Sequence, residues 1–242
     1  METKEIIKFW QFPSATVINR NLPKTQIFPH IKNPKDKQFL TDAVQSIYML
    51  ANFKYENTNI PKYESDDELY QEIWFYYLKM KDSGNAARVY RLLSGLIPYP
   101  IIALIDEPDD FVVYTGRLKK AANNFLKLVN VYPSPEYQKD NLQQVLESLS
   151  LADLSKQNLK TLYDDLRQLL TTQLAQQQYD QQIEVISINQ KDELDQLNQM
   201  IETVKIKIRK EKQLNRKIDM QMQLHGLKQQ LQSILAEKEG LL

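Results

Sequence analysis

From about Glu184 to Leu242 the apolar residues recur every three or four positions among glutamine, lysine, glutamate and asparagine. That is the period of a helix keeping one face dry, and it predicts a helical arm. Leu194, Leu197, Ile201, Val204 and Ile208 fit successive a and d positions of a heptad, the seam of a coiled coil. Glu211 and Asn215 then fall where apolar residues are due, and Met220, Leu224, Leu227, Leu231 and Ile234 continue in a shifted frame. The shift, between Lys210 and Lys217, reads either as a discontinuity in one long coil or as a bend between two helices. Unbroken, the stretch from Glu184 to Leu235 would reach about 75–80 Å at 1.5 Å per residue. A helix of that length needs a partner.

Ahead of the arm the pattern is shorter in period and richer in large side chains. The stretch from Pro13 to Pro23 predicts one or two helical turns, and Phe28 to Gln38, with Pro29 and Pro34, predicts a loop. Phe39 to Val44 begins a helix, and Ser46 to Phe53 is apolar enough for a buried strand. Glu56-Asn57-Thr58-Asn59-Ile60-Pro61 is turn chemistry. Glu72 to Lys81 is the clearest strand, aromatic-rich with alternation at its end. It is followed by a break at Asp82-Ser83-Gly84-Asn85 and a helix from Ala86 to Leu96. Ile101 to Ile105 and Phe111 to Thr115 read as strands joined by the acidic hairpin loop Asp106-Glu107-Pro108-Asp109-Asp110. Phe125 to Tyr132 reads as strand or helix. After Pro133 and Pro135 a helix is expected from Asn141 to Leu149, and a second, capped by Ser155, with Leu159, Leu162, Tyr163, Leu166, Leu169 and Leu170 on one face. The predicted class is α+β with a mainly antiparallel sheet, followed by a helical segment and a C-terminal coiled coil. The divisions expected are a core over 1–135, a helical segment over 136–183 and the arm over 184–242.

Composition agrees with that division. All eight phenylalanines, both tryptophans and most tyrosines precede Pro135, and the arm has none of them. Large side chains supply most of the burial a core needs. With 31 basic and 31 acidic residues the net charge is zero, so no global field draws the chain to nucleic acid or membrane. The N-terminus lacks the pattern of a signal peptide, and no apolar run approaches the roughly 20 residues of a membrane span. A cytoplasmic protein without a membrane partner is expected.

The chemistry available is narrow. Without cysteine there is no thiolate nucleophile or thiolate metal site. The two histidines, His30 and His225, are far apart in the sequence and give little basis for serine–histidine or zinc chemistry. Five scattered glycines form no phosphate-cradling loop. Asp106, Asp109 and Asp110 have the oxygens a divalent cation prefers, and they define a rival reading as a metal-dependent nuclease; the plain reading, and the one expected, is a solvated hairpin turn. Asp66, Asp67, Glu68, Glu72, Lys79 and Lys81 have the residue types of a restriction-type nuclease without its spacing. Lys205, Lys207, Arg209, Lys210, Arg216 and Lys217 form a basic run that either contacts duplex phosphates or is a solvated helix face paired with Asp192, Glu193, Asp195 and Glu202. The arm residues expected to make an interface are Leu194, Leu197, Ile201, Val204, Ile208, Leu224, Leu227, Leu231 and Ile234. No cofactor, metal ligand or catalytic residue is assigned.

Four stretches together resemble a bacterial family, domain of unknown function 4391. They are Phe12-Pro13 with Val17-Ile18-Asn19-Arg20-Asn21-Leu22-Pro23-Lys24, then Glu56-Asn57-Thr58-Asn59-Ile60-Pro61, then Leu96-Ile97-Pro98-Tyr99-Pro100-Ile101, then Glu211-Lys212-Gln213-Leu214-Asn215-Arg216-Lys217-Ile218. The chain departs from the family pattern at Asn52-Phe53-Lys54, where a Lys-Leu pair is usual. The resemblance implies an accessory subunit of a DNA-directed restriction or phage-defence system, encoded beside helicase-like and methyltransferase genes, with a helicase-like partner. It supplies no catalytic residues; Asn57, Thr58, Asn59 and Pro98 are the first positions to inspect for one. The expected function is a non-catalytic interaction subunit that forms a homodimer or hetero-complex through the arm.

Overall fold

The structure, a computed structural model, describes residues 1–121, 126–179, 187–211 and 213–236. Its elements are, in order, α1 (Thr3–Phe9), β1 (Val17–Asn21), α2 (Lys24–Ile27), α3 (Pro34–Ala43), β2 (Val44–Lys54), α4 (Tyr55–Thr58), β3 (Tyr63–Glu64), β4 (Leu69–Tyr70), β5 (Glu72–Met80) and α5 (Ala86–Ser94). They continue with β6 (Ile101–Asp106), β7 (Asp110–Lys120), β8 (Leu126–Pro133), β9 (Tyr137–Gln138), α6 (Leu142–Ser148), α7 (Leu159–Tyr179), α8 (Ile188–Lys210) and α9 (Leu214–Ala236). The fold is α+β. Its main sheet runs β1-β2-β5-β6-β7-β8, with β9 also pairing β7. Every pair is antiparallel except β5 with β6, because α5 carries the chain back across the sheet between them.

Both faces of this sheet are covered, and period-two alternation assigns each side chain. Ile73, Phe75 and Tyr77 of β5 join Ile102 and Leu104 of β6 under α1, α6 and the first turns of α7. Tyr76, Leu78 and Met80 join Ile101, Ala103 and Ile105 under α3 and α5. Trp10 anchors the first core. It is fully buried, meets Phe75 edge-on at 5.4 Å, and donates its indole N–H to the Leu149 carbonyl at 3.2 Å. Residues 136–174 thus belong with the sheet: the compact units are Met1–Leu174 and Ala175–Leu242. Leu146, Leu162, Leu166 and Leu170 place them there, since their apolar face is buried on the strands.

A polar knot fastens the two cores where β6 and β7 part. The Tyr163 hydroxyl accepts the Gly116 N–H at 2.8 Å and donates to the Ile101 carbonyl at 3.1 Å, which the Tyr90 hydroxyl also reaches at 3.1 Å. A Cβ on Gly116 would lie 2.9 Å from that Tyr90 oxygen and 2.5 Å from Leu128 Cδ1. Glycine is required there for close approach. Burial pushes both phenols above their ordinary range.

Several local expectations change. Residues 17–21 are an edge strand and not helical turns: Val17, Arg20 and Asn21 pair with β2 across an irregularity in register, and the β-branched Val17 and Ile18 suit extended backbone. Within the expected loop, Asn33 caps α3, its Oδ1 accepting the Lys35 N–H at 3.0 Å, and Pro34 occupies the first turn. Asn158, not Ser155, caps α7: its Oδ1 accepts the Thr161 N–H at 2.9 Å. Residues 126–133 form the strand β8, while Phe125 lies outside the described residues. Among the described residues no helix is long and apolar enough to cross a membrane.

Candidate functional site

In the second unit the frame shift is a turn. Ser187 and Gln190 start α8 with a reciprocal capping box, Ser187 Oγ accepting the Gln190 N–H at 3.2 Å and Gln190 Oε1 accepting the Ser187 N–H at 3.1 Å. Glu211 ends the helix in an extended conformation. Helix α9 then returns along α8, so the two heptad frames meet each other. Leu197, Ile201, Val204 and Leu227 are buried, with Ile208, Met220, Leu224, Leu231 and Ile234 packed against them. Leu194 is fully buried beside Ala175, with Leu231, Ile234 and Leu235 alongside. All nine residues expected at an interface lie in this intrachain seam. Leu235 belongs to it too, a residue outside the expected set although it extends the α9 period.

The turn gathers the basic residues. Lys205, Lys207, Arg209 and Lys210 lie on the last turns of α8, and Arg216 and Lys217 on the first turn of α9. Lys205 is held by Glu202 at 2.5 Å, which keeps the Glu202 carboxyl below its usual range. Lys207, Arg209, Lys210 and Arg216 are exposed. At the other end of α8, the buried Lys191 pairs with Asp195 and meets Gln178 at 3.0 Å.

The acidic hairpin is not the solvated loop expected from its composition. Asp106 is 1 % exposed. Lys139 lies 2.8 Å from its Oδ1, while the Tyr77 hydroxyl donates to its Oδ2 at 2.6 Å and the Met1 amine lies 3.7 Å from Oδ2. Burial, then this carboxylate, drives the Tyr77 phenol well above its ordinary range. Glu107 turns the other way and accepts the Gly84 N–H at 3.0 Å beside the start of α5. Burial raises its carboxyl above the usual range. Asp109 alone of the rival triad is exposed, and among the described residues no cluster of three or more His, Cys, Asp or Glu could hold a metal ion. The geometry is that of a structural carboxylate.

The remaining candidates also have structural roles. Asn57 Oδ1 accepts the Lys54 N–H at 3.0 Å and its Nδ2 donates to the Asn52 carbonyl at 2.9 Å. Thr58 donates to the Lys54 carbonyl at 2.8 Å, and Asn59 takes the left-handed conformation, φ 56°, that closes the turn. Pro98 follows α5, and His30 and His225 are exposed and widely separated along the chain. A buried cation the sequence did not flag is Arg167, 5 % exposed, bonded to Asp164 at 2.7 Å and facing the Tyr132 ring at 5.4 Å. Its only sequence signal is the Asp164–Arg167 spacing on α7.

These features define an α+β protein with a helical pair at its C-terminus. The chain belongs to the family described as Domain of unknown function (DUF4391), whose sequence model matches residues 11–231. No curated protein and no solved structure matches it at a significant level.

Proposed function

We propose that the chain is a non-catalytic interaction subunit of a DNA-directed restriction or phage-defence system, assembling through its C-terminal helical arm with itself or with a helicase-like partner. The observation that carries this reading is the outer surface of α8 and α9. The seam between them is already filled, yet Met200 (48 %), Ile206 (49 %), Ile218 (46 %) and Met222 (72 %) stand exposed on it. Large apolar side chains kept in water on a helical pair suit helix–helix docking. The family resemblance supports the DNA-directed setting. Co-expression with whatever proteins the neighbouring genes encode tests the proposal. The partner should co-purify with the full chain and be lost from a chain ending at Gln182; equal retention overturns it.

A second reading, duplex DNA binding, is favoured by the convergence of the six basic residues at one turn. Exposed cations gathered at a tip can contact successive phosphates. Replacing Lys205, Lys207, Arg209 and Lys210 with glutamine should weaken duplex affinity and flatten its salt dependence. If the four phosphate contacts are made, the slope of log affinity against log salt should change by roughly 3–4. Unchanged affinity removes this reading.

A further inference from the structure

The α8 helix carries a second stripe beside its buried one. Leu194, Leu197, Ile201, Val204 and Ile208 face the seam, and on the flank Glu193, Gln196, Met200, Thr203, Lys207 and Lys210 follow one another at alternating spacings of three and four. All six flanking residues are exposed. A heptad-spaced stripe is the pattern of a helix contact, and among the described residues nothing covers this one.

Its order is self-complementary. It begins with a carboxylate, passes through Met200 and Thr203, and ends with two ammonium groups. Turned end for end, the stripe sets Glu193 against Lys210, Gln196 against Lys207 and Met200 against Thr203. The numbers in each pair have the same sum, so a single twofold axis between Met200 and Thr203 makes every pairing twice. Parallel pairing would instead place Glu193 on Glu193 and each lysine on itself. Antiparallel packing also sets the helix dipoles favourably. Among the described residues Glu193, Lys207 and Lys210 form no ion pair, so their charges are available to a second chain.

A receptacle lies next to the centre of the stripe. A groove of about 390 Å³ runs between α8 and α9, lined by residues that include Gln196, Met200, Thr203, Lys207 and Gln223. A second copy placed on the twofold axis would bring its Met200 to this groove. Methionine, unbranched and polarisable, fills such irregular spaces. From Glu193 to Lys210 the stripe is about 25 Å long at 1.5 Å per residue.

We infer that the Glu193–Lys210 flank of α8 docks on the same flank of a second copy of this chain, antiparallel and on a twofold axis, so that two helical pairs make a four-helix bundle. This rests on the proposed reading of the arm as the assembly element, and it names the partner as the chain itself. The test is the mass of the full chain by light scattering across a concentration series, with circular dichroism to verify that helix content is retained. The wild type should approach twice the 28.5 kDa of one chain. Glu193→Lys and Lys210→Glu should each weaken the dimer roughly tenfold or more, because each places like charges opposite one another twice. The double variant Glu193→Lys/Lys210→Glu should restore it, and Met200→Glu should give a folded monomer. A monomeric wild type at high micromolar concentration, or a double variant no better than the singles, overturns the inference. The co-purification experiment reads a hetero-complex independently, so a monomeric chain that still retains its partner through the arm sinks only this inference.

Discussion

Replacing Trp10 with alanine is expected to destabilise the sheet-bearing unit by about 3–5 kcal/mol, the range for deleting a fully buried aromatic. Three contributions combine. The ring is fully buried and packs at 5.4 Å against both Phe12 and Phe75. Its removal leaves a cavity between α1 and the sheet, where a close-packed interior collapses only partly. The Leu149 carbonyl at the end of α6 also loses its donor. Trp10→Phe should lose much less, mainly one hydrogen bond and part of the volume. Urea unfolding followed by circular dichroism measures both. A loss below about 1 kcal/mol for Trp10→Ala, the level of an ordinary surface change, would contradict the placement of α1 on the sheet.

Asp106→Ala should cost about 2–3 kcal/mol, below the 3–5 for breaking a fully buried pair because Lys139 can turn to water; the Lys139 side chain is 32 % exposed. Tyr77 is less free to adjust, since its ring is fixed in the core beneath α1. Asp106→Asn keeps an acceptor for the Tyr77 hydroxyl and should lose less. Asp109→Ala, on the exposed turn, should fall within about 0.5 kcal/mol of wild type. This contrast also separates the rival nuclease reading. Magnesium-dependent DNA cleavage abolished by Asp109→Ala in a fully stable protein would establish that rival, whereas loss with Asp106→Ala alone would report damaged packing.

What the sequence made legible follows from period and residue size. The aromatic run of β5 announces a strand because a pleated surface packs such rings, and the leucines of α7 announce a helix by their spacing. The arm was legible as two heptad frames, because Glu211 and Asn215 interrupt the first where the chain turns. The strand at Val17-Ile18-Asn19-Arg20-Asn21 was harder. Five residues between two prolines carry too little period to decide, and pairing with β2 settles the matter. The acidic hairpin misled because Asp106 looks solvated until Lys139, 33 positions on in numbering, folds beside it. Long-range ion pairs leave no local pattern. For the same reason the arm's seam could be read as an interface, when a turn of a few residues lets it close on itself. The flank bearing Met200 has a period of its own, but the stronger Leu–Ile–Val stripe beside it dominates the pattern.

With the seam closed within the chain, any assembly through the arm uses its outer flanks. The most direct measurement is co-purification of the full chain with the proposed helicase-like partner, against the same chain ending at Gln182, with equal soluble amounts of each. The partner should be retained by the full chain and lost with the arm. Equal retention by the shortened chain would contradict it, and would place assembly on the sheet-bearing unit.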